Sequence, residues 1–408
     1  MKRRPERGFT LIELMVALVV SSLLVGMILA IFSRMSLSYR GQQQIAGVQQ
    51  VLAAARTTIE LDAKQAGFAM SQGFRFARDQ PPSLDKKVVV RSPVRVVNSA
   101  VGPDQIAFFY ADPTTQAVVT LVVGDWKVTP TVKVDSTEGF APGDLVVLST
   151  ADPSMAPINP PQDANFVAYD ACVMQIAPGG VVGVKGGSLT FSQLLPWGLP
   201  DSRHCTPPTA VLAPPPPVTQ QATMIYKFVA RGYRIDPDPD PARAAIGALQ
   251  GSFTGGLFGT AADNWTDLAY GFTDIQTALQ AYEGEADLND TLDPDADPTR
   301  DWYSGDMQDT VTTSTTMPVP PVPPVPVLVP PASLLQMSIS LVARTDRDVE
   351  GIATAATPQL VDPAAPDNNP IGDHPSVVLP WAIDPTLPGR IYRSTTFQVD
   401  FRNLGVGR

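Results

Sequence analysis

Few residues of this 408-residue chain have the types and spacing for chemistry, and they fall in three places. The first is the head, where a basic octet ending in Gly8 meets Phe9, Thr10 and the carboxylate of Glu13 at the mouth of an apolar run. The second is the only cysteine pair, Cys172 and Cys205, with His204 beside the latter and His374 far off. The third is the acidic stretch EGEADLNDTLDPDADPTRD, whose Asp287, Asn289, Asp293, Asp295 and Asp297 offer oxygen ligands suited to Ca²⁺. None of these makes a catalytic set. Adjacent residues such as His204 and Cys205 rarely reach nucleophile–base geometry. Two cysteines without a C-x-x-C spacing do not build a Cys-based zinc site. The acidic stretch lacks the D-x-[DN]-x-[DN]-G core and the closing glutamate of an EF-hand, and prolines interrupt it. A solvated loop is therefore its first reading and a calcium site its second. Gly251, Gly255, Gly256 and Gly259 do not follow the strand–G-x-G-x-x-G–helix layout of a dinucleotide site. There is no G-x-S-x-G, H-E-x-x-H, Walker or kinase signature. The expectation is a protein that is not an enzyme and, calcium apart, needs no cofactor.

The apolar run must position the first group. Lys2, Arg3, Arg4 and Arg7 precede it against one acid, Glu6, and Leu14 to Phe32 carries no charge. As a helix that run is about 28 Å long, close to the ~30 Å hydrocarbon core of a bilayer. The basic flank is expected to stay inside and to send the chain beyond Phe32 outward. Glu13 does not fit an ordinary anchor, because an unpaired carboxylate there costs a few kcal/mol. Nor does an ordinary secretory signal fit. That signal ends in small residues beyond the apolar core, and no clear A-x-A site lies there.

The basic head followed by GFTLIELMVALVVSSLLVGMI resembles the class III signal of type IV prepilins, over residues 1–32. The resemblance implies that a prepilin peptidase removes residues 1–8 by cutting after Gly8 on the cytoplasmic side. It implies N-methylation of the new terminus, Phe9, and retention of the apolar run. Glu13 then lies four residues from a free amine, and is expected to pair with its own terminus or a neighbour's, as a buried carboxylate requires. Otherwise Glu13 is an incidental polar residue at a membrane boundary.

The rest of the chain is acidic and rich in turns. Its formal charge is −11, and loss of the head takes it to −14, which argues against nucleic-acid binding. Its 42 prolines and 30 glycines favour strands and loops over a helical body. Residues 33–75 read as a continuation of the first helix. Ile45, Val48, Leu52, Ala55, Ile59, Ala63, Ala66 and Met70 recur at three- and four-residue steps, and no proline occurs from Phe9 to Gln80. One rod about 85 Å long is expected, ending at Gly67 or Gly73, or else two helices joined near Gly41. Strands are expected over 86–97, 105–111, 117–123, 126–134, 144–150, 166–177, 188–191, 334–344 and 391–403. Residues 222–235 read as a long strand or a strand pair, 242–262 as a flexible loop, and 268–282 as helix or strand. The proline tracts 206–218 and 317–331 read as extended loops. Beyond the membrane the compartment is oxidising, so Cys172 and Cys205 are expected either as a disulfide, which stabilises by about 3–4 kcal/mol, or as two free thiols.

The stretch VQQVLAAARTTIELDAKQAGFAM resembles PilW-type minor pilins through Arg56, Ile59, Leu61, Asp62, Ala66, Gly67 and Phe68. The arginine expected before the acidic position is missing, and Lys64 comes after it. The phrase APGDLVVLSTAD, residues Ile275, Leu279, Gln280, Tyr282 and Glu283, and the ending YR…F…V..RN resemble the same group. The resemblance implies an α+β, type IV pilin-like fold: a long N-terminal helix on antiparallel sheet, with large Pro/Asp-rich insertions. The expected division is a leader at 1–8, a membrane and fibre-core segment at 9–32, an amphipathic continuation at 33–75, and a β-rich globular part at 76–408, in one body or in lobes near 76–235 and 236–408. The implied function is that of a low-copy minor pilin that primes pilus assembly at the tip and has room to present a large adhesin. Its expected partners are the other minor pilins, the major pilin, the prepilin peptidase and the inner-membrane assembly platform. Its expected place is the inner membrane, with the C-terminal part periplasmic, and then the fibre. The alternatives are a GspJ-like pseudopilin of a type II secretion system and a calcium-dependent tip adhesin.

Overall fold

The computed structural model describes residues 10–70, 73–75, 90–97, 102–126, 128–152, 168–192, 205, 223–236, 247–254, 264–281, 301–303, 334–345 and 390–404. The apolar run and its amphipathic continuation form one unbroken helix, α1 (Leu11–Gln65). Its buried stripe is Val48, Leu52, Ala55, Ile59 and Ala63, with Gly41 below it. That is the three- and four-residue spacing of a helix laid on a core. The helix ends sooner than the expected 33–75 segment, and Phe74–Arg75 is already a strand, β1. The break has a local cause. Gly67 adopts φ +78 and turns its N–H onto the Phe109 carbonyl at 3.0 Å, so the chain leaves the helical ladder there.

Among the described residues, two sheets carry the remainder. The larger contains eleven strands. After β1 come β2 (Val90–Arg91), β3 (Val94–Val97), β4 (Gln105–Val123), β5 (Thr131–Val134), β6 (Leu145–Asp152), β7 (Ala168–Val182), β8 (Ser188–Phe191), β9 (Met224–Asp236), β10 (Ala248–Ser252) and β11 (Trp265–Tyr270). The smaller sheet is β13 (Asp301–Tyr303), β12 (Phe272–Ala281), β14 (Leu334–Arg344) and β15 (Tyr392–Asp400), in that spatial order. The ladders are antiparallel except for the short β1–β7 pair. The chain is thus α+β, one long helix on antiparallel sheet, consistent with a type IV pilin-like fold.

Within the large sheet, six strands close on themselves: β4 pairs β5, β5 pairs β8, β8 pairs β7, β7 pairs β6, β6 pairs β9, and β9 returns to β4. Closure removes free edges. The interior of this small barrel is a separate core that includes Val119, Val132, Val146, Met174, Leu189 and Ile225. The first half of β4 and the second half of β9 leave the barrel and pass beneath α1. Ile106, Phe108, Tyr233 and Ile235 join the helix stripe there, together with Phe272, Met337, Leu341 and Phe397 of the smaller sheet. A third core packs Ala69, Met70 and Phe74 against the opposite face of β4, β6, β7 and β9.

Several expected elements fall out differently. Residues 105–111 and 117–123 are one strand, β4, because Asp112-Pro113 makes a bulge, not a turn. The Asp112 carboxylate takes hydrogen bonds from the Thr114 N–H at 2.8 Å and the Thr114 hydroxyl at 2.7 Å, which folds the extra residues into a local protrusion. Residues 248–252, expected in a loop, form β10. The described residues of the undecided stretch 268–282 form two strands broken at Gly271, which has φ +94. Among the described residues of the strand expected over 126–134, only Thr131–Val134 form strand, and Trp126 instead turns into the barrel core.

Candidate functional site: the ends of the N-terminal helix

Gly8 and Phe9 lie outside the described residues. The next turn is a capping box at the start of α1. The Glu13 N–H donates to the Thr10 hydroxyl at 3.3 Å, and one Glu13 carboxylate oxygen accepts from the Thr10 N–H at 3.0 Å and the Thr10 hydroxyl at 2.9 Å. A carboxylate in the first turn also suits the positive end of the helix dipole. The group is exposed and lies four residues from Phe9 in sequence.

From Leu11 to Phe32 the large apolar side chains are 50–78 % exposed and bury nothing against the rest of the chain. Among the described residues α1 is the one helix long and apolar enough to cross a membrane. An apolar surface of this length is covered by lipid or by other helices.

The other end of α1 is bound to the sheet by polar groups whose role the motifs alone do not give. Asp62 accepts from the Tyr110 hydroxyl at 2.8 Å on one oxygen and from the Tyr233 hydroxyl on the other. Burial first, and the Asp62 charge second, push both tyrosines above their ordinary pKa. Asn403, just past β15, donates its amide to the Lys64 carbonyl and the Gln65 carbonyl, each at 3.2 Å, and so satisfies orphan acceptors at the helix end. A Cβ on Gly67 would strike the Leu404 side chain. Arg56 stacks over Phe397, 5.3 Å from the ring centre. Asp62, Gly67, Arg56 and Asn403 converge on one job, holding the helix to the sheet. A signal for that role was present in the sequence. A lone Asp beside the apolar stripe of an amphipathic helix needs partners.

Cys172 and Cys205 form a disulfide, with Cα atoms 5.7 Å apart. Both lie in the barrel core, and the Trp126 indole N–H donates to the Cys205 carbonyl at 3.0 Å. Asp287, Asn289, Asp293, Asp295 and Asp297 lie outside the described residues. Among the described residues no group of three or more His, Cys, Asp or Glu gathers to hold a metal.

Residues 3–29 match the family described as the prokaryotic N-terminal methylation motif. No curated protein and no solved structure matches the chain. The matched motif and the exposed helix make the chain type IV pilin-like, a structural class and not an enzyme. They fit an inner-membrane-anchored pilin that meets the pilus assembly machinery and other pilins.

Proposed function

We propose that this chain is a PilW-like minor pilin, incorporated at low copy into a type IV pilus. It primes assembly with other minor pilins at the tip and offers its large extracytoplasmic part as the base for an adhesin. The observation that carries this reading is α1 itself. A prepilin-type motif opens a 55-residue helix whose first half buries nothing and whose second half is fastened to sheet.

The steps derive from the residues. The peptidase cuts after Gly8, and the amine of Phe9 is freed and methylated. Glu13 exchanges its Thr10 contacts for that amine or a neighbour's. Residues Leu14–Phe32 then pass from lipid into a core of parallel helices, trading one apolar solvent for another at little cost. The globular part rides outside, held by Asp62 and Asn403. Arg56, Asp62, Gly67 and Asn403, four of the residues through which the chain resembles PilW-type pilins, meet at this joint and support the subgroup.

The test is quantitative mass spectrometry of sheared surface fibres beside membranes from the native host. The expected result is this chain in fibres at a small fraction of the major pilin, with fewer fibres when it is deleted. Abundant chain in membranes and none in fibres would favour a secretion-system pseudopilin.

A further inference from the structure

Just past the membrane run, α1 reads SRMSLSYR over residues 33–40. Arg34, Tyr39 and Arg40 are exposed there, Tyr39 at 61 %. The sequence has no aspartate or glutamate between Glu13 and Glu60, and from Phe9 to Ala55 Arg34 and Arg40 are the only basic residues. This is a positive segment on a chain whose formal charge is −11.

Height and direction place it at a membrane surface. At 1.5 Å per residue, Arg34 lies about 3 Å beyond Phe32 and Arg40 about 12 Å beyond it. The polar layer on each side of a ~30 Å hydrocarbon core is about 5–8 Å thick. Side chains on a helix lean toward its N-terminus, which here means toward the bilayer, so Tyr39 and Arg40 lean back toward that layer. The spacing narrows the partner. At about 100° per residue, Tyr39 lies about 140° and Arg40 about 240° around the helix from Arg34. The three groups make a collar and not a face. A partner helix meets one side of α1, whereas a layer of lipid headgroups meets every side. Guanidinium groups bind phosphate oxygens through paired hydrogen bonds, and tyrosine favours the border between acyl chains and water.

Cleavage changes the weight of this collar. Before it, Lys2, Arg3, Arg4 and Arg7 against Glu6 put a net charge of +3 on the inner flank. After it, that flank keeps one amine at Phe9 against the Glu13 carboxylate. We propose that Arg34, Tyr39 and Arg40 form a collar that binds the headgroups of anionic phospholipids in the outer leaflet, and that loss of the head leaves it as the mature chain's basic anchor at the membrane. The collar resists sinking, because arginine in hydrocarbon is costly, while the basic head that opposed passage outward is gone. The proposal rests on the pilin reading above.

The test takes the full chain purified from native membranes into vesicles of phosphatidylcholine with a minority of phosphatidylglycerol. Electron spin resonance of spin-labelled phosphatidylglycerol, and separately of spin-labelled phosphatidylcholine, reads the lipid held at the protein. Each basic residue near an anionic surface is worth about fivefold, so a preference for phosphatidylglycerol of roughly five- to twenty-fold is expected at low salt. Arg34→Gln/Arg40→Gln is expected to lose most of it while the Cys172–Cys205 disulfide still forms. Equal retention of the two lipids by the parent, or a preference that the double variant keeps, overturns the proposal. If the parent shows no preference and the double variant is lost from sheared fibres, the arginines meet an acidic neighbouring chain, which also overturns it. The N-terminal peptide of the same sample separates the two readings. An intact Met1 removes the pilin reading and this proposal with it, and a Phe9 terminus without lipid preference removes the collar alone.

Discussion

Asp62 is where the helix is fastened, and its loss is specific in effect. Asp62→Ala removes one acceptor pair and strands two buried tyrosine hydroxyls. At about 1–3 kcal/mol for each unsatisfied group, the variant is expected to lose roughly 2–4 kcal/mol of stability. Tyr110→Phe and Tyr233→Phe should each lose less, because each removes one bond. Urea unfolding of the full chain in detergent, followed by tryptophan fluorescence, measures all three. The same pair sets an alkaline limit. Both tyrosines hold their protons more tightly in the folded chain than in the unfolded one. Stability is therefore flat below the ordinary tyrosine range near pH ~10 and falls as pH rises above it. In the Tyr110→Phe/Tyr233→Phe double variant the alkaline fall should be shallower, which a pH series of the same unfolding curves reads directly. At the other end of the helix, Glu13→Ala should leave cleavage after Gly8 intact and lower recovery in sheared fibres. Recovery equal to the parent would show that Glu13 is a capping residue and nothing more.

The elements show where sequence pattern suffices and where it stops. The helix stripe from Val48 to Ala63 was legible because burial on one side imposes its own period. The end of the helix was less so. Two glycines were candidates, and the choice of Gly67 depends on Phe109 and Leu404, which are distant in sequence. Gly67→Ala is expected to cost more than the ~1 kcal/mol of a strained φ alone, because the new methyl also meets Leu404. In a Leu404→Ala background the added cost should shrink, a non-additivity that a double-mutant cycle detects. Strands β6, β8, β14 and β15 were readable from β-branched runs between turn signals. The Asp112-Pro113 bulge and β10 were not, since a proline and several glycines mimic turns whenever the partner strand is unknown. Barrel closure was also hidden, because pairing between β8 and β5, or β9 and β6, leaves no local trace. The cysteines left two states open in the sequence, and they are joined inside that barrel. Cys205→Ser should lower stability by about 3–4 kcal/mol, with the loss seen as earlier exposure of Trp126 in urea.

At the scale of the whole molecule, one helix serves two environments. Its first half is apolar on every side and meets nothing in its own chain, while its second half is amphipathic and pinned at Asp62 and at Asn403. An acidic body of this size can be carried on such a rod without entering the fibre core, as the tip role proposed above requires. On the function proposed above, the rod begins at Phe9 and is kept. Mass spectrometry of the N-terminal peptide, from protein recovered from native membranes and sheared fibres, tests it most directly. The expected result is a terminus at Phe9 carrying one methyl group, in both fractions. An intact Met1, or a terminus beyond Phe32, would contradict it.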